Sequence, residues 1–152
     1  MMNEFDLERF IKAQERDYET ALEEIRRGRK RSHWIWYIFP QITGLGFSSM
    51  SQYYGIASIK EAKAYMENAC LRDRLLEISE ALLALESNDP GNVMGYPDDL
   101  KLCSSMTLFA EAAPEEKIFQ AVLDKYFDGR KDQRTLQILE SQRPPAEVEL
   151  DE

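Results

Sequence analysis

The spacing of apolar residues constrains the fold of this chain more than any other feature of its sequence. In the first segment, the apolar side chains fall on one face at helical spacing, at Leu7, Phe10, Ile11, Tyr18, Ala21, Leu22 and Ile25. Such a stripe is typical of an amphipathic helix with one buried side. Asp6 is suited to cap the start of this helix, and Gly28 is suited to end it. No segment alternates polar and apolar residues between hairpin signals, so the pattern favours helices over sheets.

The remaining segments continue the helical pattern, with one ambiguous run. Further helices are predicted at about 48–54, 58–68, 71–85, 96–113, 114–129 and 132–141, with turns at 88–95. The aromatic run 32–40 also has strand propensity, but its surroundings favour a short buried helix capped by Ser32. We therefore predict an all-α fold, with a compact multihelical single domain at 1–141 and about eight helices of unequal length. The acidic segment 142–152 is predicted to be a disordered C-terminal tail.

Net charge narrows the classes of partner. Nineteen basic residues and 28 acidic residues give a net charge of −9. A surface with this charge repels phosphate backbones and anionic lipid headgroups. We therefore predict that neither duplex nucleic acid nor a membrane is a partner. The N-terminus also lacks the pattern of a signal peptide, and no apolar run approaches the roughly 18 residues of a membrane span.

Cysteine and histidine content bears on compartment and metal binding. The two cysteines, Cys70 and Cys103, lie far apart and lack CxxC spacing, which is typical of a reduced cytoplasmic protein. His33 is the only histidine. Because zinc sites need three or four nitrogen or sulfur ligands close together, we predict no metal site, and we predict no cofactor.

The stretch from Gly28 to Ser51 concentrates groups that could recognise a ligand. It combines cations at Arg29 and Lys30, the histidine, two tryptophans, Gln41 and a glycine-containing loop that leads to Ser48. The glycines, Gly44 and Gly46, are open to two interpretations, an anion-binding loop or an ordinary tight turn. Trp34 and Trp36 lie two positions apart, so in a helix they point in different directions, and each could equally be a core residue.

A second polar cluster follows in the segment 95–107. Asp98 and Asp99 suit a helix start, where carboxylates are favoured, but either could face a cavity shared with His33 and take part in acid–base chemistry. Lys101 and the mid-helix hydroxyl of Ser105 complete the cluster. Gln14 lies on the apolar face of the first helix, either bonded within the core or directed into a ligand pocket.

Together these strings resemble a bacterial family catalogued as domain of unknown function 1810. The residues that carry the resemblance are 6–10, 13–14, 28–30, 32–41 (SHWIWYIFPQ), 44–46, 97–101, 104–109 and 123–127. The resemblance covers about residues 5–140 and implies a compact all-α domain, but it implies no established activity. Members are sometimes labelled calpastatin, although nothing in this sequence supports a calpain inhibitor. At 68–71 the chain departs from the His-Pro-x-Leu-Gly start that members tend to have, which leaves His33 as the sole imidazole.

Two functions are compatible with these features, and the sequence leaves open whether the protein is an enzyme. The first is binding, with or without processing, of a small phosphorylated or nucleotide-like ligand in a pocket between the HWIWYIFPQ–GLG and PDDLKLCSSM segments. In it, His33 and Asp98 are the candidate catalytic residues. The candidate ligand-binding residues are Gln14, Arg29, Lys30, Trp34, Trp36, Gln41, Gly44, Gly46, Ser48, Asp99, Lys101 and Ser105. This function predicts that His33 and Gln41 meet Gln14 and the segment 98–105 in space. The second function is a protein–protein interaction module without catalytic activity.

Overall fold

The computed structural model describes residues 5–143, and most of this range is helical. The described range contains nine helices: α1 (Glu8–Arg26), α2 (Ile35–Ile38), α3 (Ser49–Tyr54), α4 (Ile59–Glu67), α5 (Ala69–Ala84), α6 (Pro90–Met94), α7 (Asp98–Ala112), α8 (Ile118–Phe127) and α9 (Gln133–Ser141). Between residues 5 and 143 there is no strand, only an isolated parallel bridge that joins Ile42 to Ile56. The predicted all-α fold class is therefore confirmed.

Helix α1 follows the predicted apolar stripe. Phe10, Ala21 and Ile25 are fully buried, and the helix packs against α5 and α2. At its end Gly28 has a φ of 89°, a left-handed conformation that glycine adopts without steric cost. The predicted cap at Asp6 is wrong, because Leu7 is the N-cap residue and no side chain caps the helix.

Helix α7 occupies the middle of the fold. Its residues from 104 to 109 are all buried, and Leu102 is buried as well. A helix that is buried on every side needs neighbours on every side. Helices α2, α4, α6, α8 and α9 supply them. The start of α7, where Leu100 is exposed, lies beside residues 36–55 and 132–134.

A string of aromatic rings runs through the core from α1 to α8. Phe10 lies 5.4 Å from Tyr65, Tyr65 lies 5.1 Å from Phe109, and Phe109 lies 5.8 Å from Phe119, measured between ring centroids. Such pairs contribute about 0.5–1.5 kcal/mol each beyond the burial of their area. The four rings belong to four different helices, so they fix the helices to one another.

Two further helix starts differ from the prediction. The interval 88–95, predicted as turns, contains α6, because Asp89 accepts hydrogen bonds from two backbone N–H groups and Pro90 occupies the first helical position. The helix predicted to start at Pro114 starts at Ile118.

The predicted Ser32 cap of the short aromatic helix is also wrong. Trp34 is the N-cap residue of α2, and no side chain caps this helix. The Ser32 hydroxyl instead donates to Glu24 on α1. A local capping residue has thus been recruited into a tertiary contact.

The tail predicted at 142–152 lies outside the described residues, apart from its first two positions. Of these, Gln142 donates its side-chain amide to the Ala57 carbonyl at 2.9 Å. Among the described helices, none combines the length and the apolar character needed to cross a bilayer.

Candidate functional site

A cavity of about 300 Å³ opens where four segments of the chain meet. The segments are residues 36–46, α3 with Gly55, the start of α7, and the start of α9. The lining residues are Trp36, Gln41, Ile42, Leu45, Gly46, Ser51, Tyr54, Gly55, Pro97, Leu100, Lys101, Ser104, Asp132 and Arg134. Specific small-molecule sites occupy roughly 300–1,000 Å³ and combine apolar walls with a few polar groups. The cavity therefore has the size and the mixed lining of a site for one small molecule.

The α3 wall of the cavity is held by bonds from outside α3. No residue of α3 is buried, so packing alone does not fix this short helix. Arg9 donates from Nε to the Tyr53 carbonyl at 2.8 Å and from Nη2 to the Gly55 carbonyl at 3.0 Å. The same guanidinium pairs with Glu61 at 2.9 Å, and both of these side chains are largely buried. The exit from α3 is further fixed where the Ile56 amide donates to the Gln41 carbonyl at 2.8 Å.

A chain of charges crosses the wall formed by α7. The Asp98 carboxylate pairs with Lys30 at 2.7 Å and with Lys101 at 3.3 Å. The Lys101 ammonium lies 4.3 Å from the ring centroid of Trp36, over its face. A cation above an indole face is attracted by the ring quadrupole. Asp98 thus positions Lys101 against the aromatic wall of the cavity.

Two polar groups of the cavity, on Gln41 and Arg134, can make further hydrogen bonds. Gln41 is only 9% exposed and lines the cavity, yet its side-chain amide makes no hydrogen bond to any residue from 5 to 143. Arg134 donates one hydrogen bond, to the Gly44 carbonyl at 3.4 Å. Its guanidinium has no carboxylate partner within the described range. The Gln41 amide can both donate to and accept from a ligand, and the exposed Arg134 guanidinium can pair with an anion, so both groups are suited to bind a ligand.

Asp132 lines the cavity, and only one of its two carboxylate oxygens is bonded to described residues. Oδ2 accepts from the Ser104 hydroxyl at 2.9 Å, from the Thr135 amide at 3.2 Å and from the Thr135 hydroxyl. Oδ1 accepts no hydrogen bond from the described residues. The backbone amide of Asp132 donates to Thr107 at 2.8 Å, which ties the start of α9 to α7. One oxygen therefore holds the helix start, and the other remains available.

Four of the sequence-predicted site residues line the cavity together. Trp36, Gln41 and Gly46 come from the first predicted segment, and Lys101 comes from the second. The two segments that were expected to build a pocket do meet at one.

The expected pairing of His33 with Asp98 in this cavity is wrong, because neither residue lines it. His33 lies in the turn before α2 with its side chain exposed, and its imidazole makes no hydrogen bond or ion pair to residues 5–143. Asp98 is held by two ammonium groups. The geometry therefore assembles no acid–base pair from these residues.

Gln14 does not meet the cavity either, so this part of the expected convergence is also wrong. Its amide donates to the Tyr37 carbonyl at 2.8 Å and to the Tyr65 hydroxyl at 2.9 Å, and its oxygen accepts from Arg74 at 3.4 Å. Gln14 is 2% exposed. All of these contacts are internal, and they satisfy the amide within the core.

Trp34 faces the core and not the cavity. Its ring is 1% exposed, and its indole N–H donates to Glu24 at 2.9 Å. Glu24 also accepts from the backbone amides of Arg31 and Ser32. Burial alone would raise the pKa of Glu24, but the hydrogen bonds from Ser32, Arg31 and Trp34 outweigh it and lower the pKa to about 2. The two tryptophans thus point to different surroundings.

Four other candidates of the first segment, Arg29, Lys30, Gly44 and Ser48, do not line the cavity. Lys30 is committed to Asp98, and the Arg29 side chain is exposed. Gly44 has a φ of 100°, as a tight turn requires. Ser48 caps α3 by accepting from the Ser51 amide.

Two further candidates on α7 each have one buried polar atom without a partner. Ser105 Oγ and Asp99 Oδ1 make no hydrogen bond to residues 5–143, and both atoms are inaccessible to solvent. Neither residue lines the cavity. Their polar atoms therefore do not contribute to this site.

Sequence reasoning missed Asp132, Arg134, Tyr54 and Ser104 as site residues. A signal for Arg134 was present, because it falls in the first turn of a predicted helix, where the helix dipole disfavours a cation. The other three looked like ordinary capping, packing or mid-helix residues.

No group of three or more histidine, cysteine or acidic side chains within residues 5–143 is arranged to hold a metal ion. Both cysteines are free. The site is therefore described by its organic side chains alone.

Comparisons with known proteins place the chain among uncharacterised relatives. Residues 4–139 match the model of a family described as a protein of unknown function, DUF1810. The chain is also similar to the crystal structure of a conserved hypothetical protein, Rv1873, from Mycobacterium tuberculosis, at 46% identity and a TM-score of 0.89. That match covers 91% of this chain and 99% of the other. No curated protein matches.

Proposed function

We propose that this chain, which belongs to the DUF1810 family of unknown function, binds a small phosphorylated, nucleotide-like ligand in the cavity. The observation that carries the proposal is the combination of three groups in one cavity. They are the aromatic wall at Trp36, the unpartnered amide of Gln41, and the guanidinium of Arg134 without a carboxylate partner.

The aromatic wall suits a planar ring. Trp36 lines the cavity, and the Lys101 ammonium lies 4.3 Å from the centroid of its ring. Tyr54 lines the cavity from the α3 side. Stacking of a base on an aromatic side chain contributes about 1–3 kcal/mol, and an amide such as that of Gln41 can both donate to and accept from the edge of a base.

The cations suit a phosphate. Arginine donates from a rigid fork that matches phosphate oxygens, and charge-assisted bonds of this kind are roughly twice as strong as neutral ones. Arg134 has this capacity free among the described residues, and Lys101 adds a second positive charge that Asp98 only partly offsets. A cavity of about 300 Å³ accommodates one base, one sugar and one phosphate better than a dinucleotide.

The proposal is limited to binding and names no reaction. A reaction at the cavity needs a group that moves a proton or attacks the ligand, and His33 lies away from the lining. Cys103 is not a lining residue, and burial raises the pKa of its thiol to about 11, which keeps it protonated near neutral pH.

We also propose a cytoplasmic location, because both cysteines are free as in reduced proteins.

The test is calorimetric titration of adenosine 5′-monophosphate into wild type and two matched arginine variants. R134Q should weaken binding about tenfold or more, since it removes a charge-assisted bond. R130Q makes the same charge change at an exposed arginine four positions away that pairs with Asp128, and its affinity should stay within about twofold of wild type. Absence of binding to the wild type at millimolar nucleotide, or equal binding by R134Q, would contradict the proposal.

The alternative function, a protein-interaction module, is favoured by exposed apolar side chains next to the cavity. Phe47 is 86% exposed and Tyr96 is 82% exposed, and each neighbours a lining residue in sequence. In this alternative, an F47S/Y96S double variant loses a specific protein partner, whereas R134Q retains it. The nucleotide titration separates the two functions, because F47S/Y96S leaves the proposed ligand contacts intact.

A further inference from the structure

We propose that Asp132 accepts a hydrogen bond from a sugar hydroxyl of the ligand, so that the cavity selects a nucleoside 5′-monophosphate with free ribose hydroxyls. This inference rests on the proposed function and deepens it. The two oxygens of the Asp132 carboxylate have different surroundings.

The inner oxygen of Asp132 is fully used by the protein. Oδ2 accepts from the Ser104 hydroxyl and from both the amide and the hydroxyl of Thr135. These three donors come from α7 and α9, and they fix the orientation of the carboxylate. The side chain therefore arrives at the cavity already oriented, which lowers the entropic cost of using it to bind a ligand.

The outer oxygen of Asp132 can only accept. Oδ1 has no donor among the described residues, and Asp132 lines the cavity. A carboxylate oxygen next to a ligand repels phosphate and favours a hydroxyl or an amine. The ligand should therefore present a donor to Asp132 and direct its anionic group elsewhere.

Arg134 is suited to bind the anionic group of the ligand. It lines the same cavity two positions along the chain from Asp132, and its guanidinium is free of carboxylate partners within residues 5–143. The cavity thus has one acceptor and one cation from the start of α9, and Trp36 and Gln41 from the segment 36–46. A ribonucleotide carries the matching groups: a base, a pair of hydroxyl donors and a phosphate.

The experiment compares adenosine 5′-monophosphate with its 2′,3′-dideoxy analogue by calorimetry on the full chain. Adenine is chosen because a glutamine amide pairs with its N6 and N7 edge. Wild type should bind the ribonucleotide about tenfold or more tightly than the analogue, as expected for a hydrogen bond to a charged group. Equal affinities in the wild type would overturn this inference and leave the proposed function standing. If neither compound binds, both proposals fail.

The D132N variant then assigns the preference to Asp132. Asparagine is as good a helix cap as aspartate, and its carbonyl oxygen can take the place of Oδ2 before the three inner donors. The NH₂ group then replaces the outer acceptor. We expect D132N to lose most of the preference for the ribonucleotide, because its NH₂ group can make only a neutral hydrogen bond to the sugar hydroxyl. It should bind the analogue as tightly as wild type or more tightly, because a negative charge has left the cavity.

Two controls accompany D132N. Its unfolding midpoint without ligand should stay within a few degrees of wild type, since the cap is retained. Q137E introduces a carboxylate at an exposed position of the same helix and should leave the preference unchanged. A D132N protein that folds and prefers the ribonucleotide as strongly as wild type does would overturn the assignment. If D132N does not fold, the wild-type comparison alone still decides whether hydroxyl selection exists.

Discussion

Glu24 organises the segment that leads from α1 to the cavity wall. Its carboxylate accepts from the Arg31 and Ser32 amides at 2.8 and 3.0 Å and from the Trp34 indole at 2.9 Å, as well as from the Ser32 hydroxyl. One side chain therefore takes up several donors of a segment that has no regular structure of its own. Trp34 is held in the core by this contact, which leaves Trp36 to face the cavity.

We predict that E24Q destabilises the fold by about 1–3 kcal/mol at pH 7, because the amide loses the charge and one acceptor. The pKa of Glu24 is lowered from 4.5 to about 2 in the folded state. Its contribution is therefore present above pH 4.5 and is lost as the pH falls toward 2. Urea denaturation at several pH values should show the gap between wild type and E24Q closing across this interval.

E23Q is the matched control for this prediction. Glu23 is the neighbouring residue, is exposed and pairs with Arg27 at 2.7 Å on the surface of α1. Exposed pairs of this kind contribute about 0.5 kcal/mol or less. Both variants remove one negative charge from a chain of net charge −9, so their difference reports the local bonds. A gap for E24Q that stays constant with pH would contradict the role assigned to Glu24.

Glu24 also illustrates what residue patterns hide. In the sequence it belongs to an acidic pair near the end of an amphipathic helix, a position that usually faces solvent. Its partners lie seven to ten residues away and become neighbours only because Gly28 reverses the chain. Ser32 was expected to cap its own helix for the same reason: local propensity was visible, and the longer contact that displaced it was not.

At the scale of elements, α3 depends on Arg9 more than on its own packing. Arg9 holds two carbonyls at the end of α3 and pairs with Glu61, which is 3% exposed. Since α3 forms one wall of the cavity, the geometry of the site depends on a contact between α1, α3 and α4.

We predict that R9M destabilises the protein by about 3–5 kcal/mol, because it leaves the Glu61 carboxylate buried without a cation. Amide hydrogens of α3 should exchange faster than those of α7, since α3 loses the donors that hold its end. R9M/E61Q should recover part of the stability, because the buried charge is gone and the amide oxygen can still accept from Ala57. Chemical denaturation and hydrogen exchange measure both effects.

R16M is the control for the loss of an arginine from α1. Arg16 is exposed and pairs only with the neighbouring Asp17 among the carboxylates of residues 5–143, so its replacement should cost about 0.5 kcal/mol or less. The role of Arg9 is contradicted if R9M behaves like R16M, or if the double variant is no more stable than R9M.

The sequence predicted which segments are helical more readily than it predicted how the helices pack against one another. Apolar spacing identified α1, α5 and α8, because burying one face of a helix leaves a periodic pattern, whereas α7 was predicted from Pro97 and the two acids at its start. It could not show that the start of α9 packs beside the start of α7. For that reason Trp36, Gln41 and Lys101 were predicted as site residues, whereas Asp132 and Arg134 were not. The segment with α6 was missed because five residues carry too short a pattern.

At the scale of the whole molecule, the cavity joins segments from residue 36 to residue 134, so its shape depends on the complete helical packing. The same packing buries four tyrosines on four helices: Tyr18 on α1, Tyr37 on α2, Tyr65 on α4 and Tyr126 on α8. Their hydroxyls have internal partners, such as the Leu82 carbonyl for Tyr126 at 2.6 Å. Unfolding at high pH therefore tests the packing of these four helices together.

We predict cooperative alkaline unfolding that begins above pH 10. Burial raises the pKa of all four hydroxyls, that of Tyr126 to about 12. Each group therefore contributes stability that is present below its ordinary pKa of 10 and is lost as the pH rises through its folded pKa. Between pH 10 and about 12, Tyr126 lowers the free energy of unfolding by at most about 1.4 kcal/mol per pH unit, and the other three hydroxyls add to this slope. Phenolate absorbance of the buried tyrosines and the helical circular dichroism signal should change together.

The Y126F variant makes this prediction quantitative. It costs about 1 kcal/mol near neutral pH, because the Leu82 carbonyl loses its donor, but it also removes one titrating group. The slope of stability against pH above 10 should therefore fall by at most about 1.4 kcal/mol per pH unit. The wild-type and variant curves should converge as the pH rises. Parallel curves, or phenolate formation at the buried tyrosines while the helices remain intact, would show that ionisation of the buried hydroxyls is not coupled to the packing that forms the cavity.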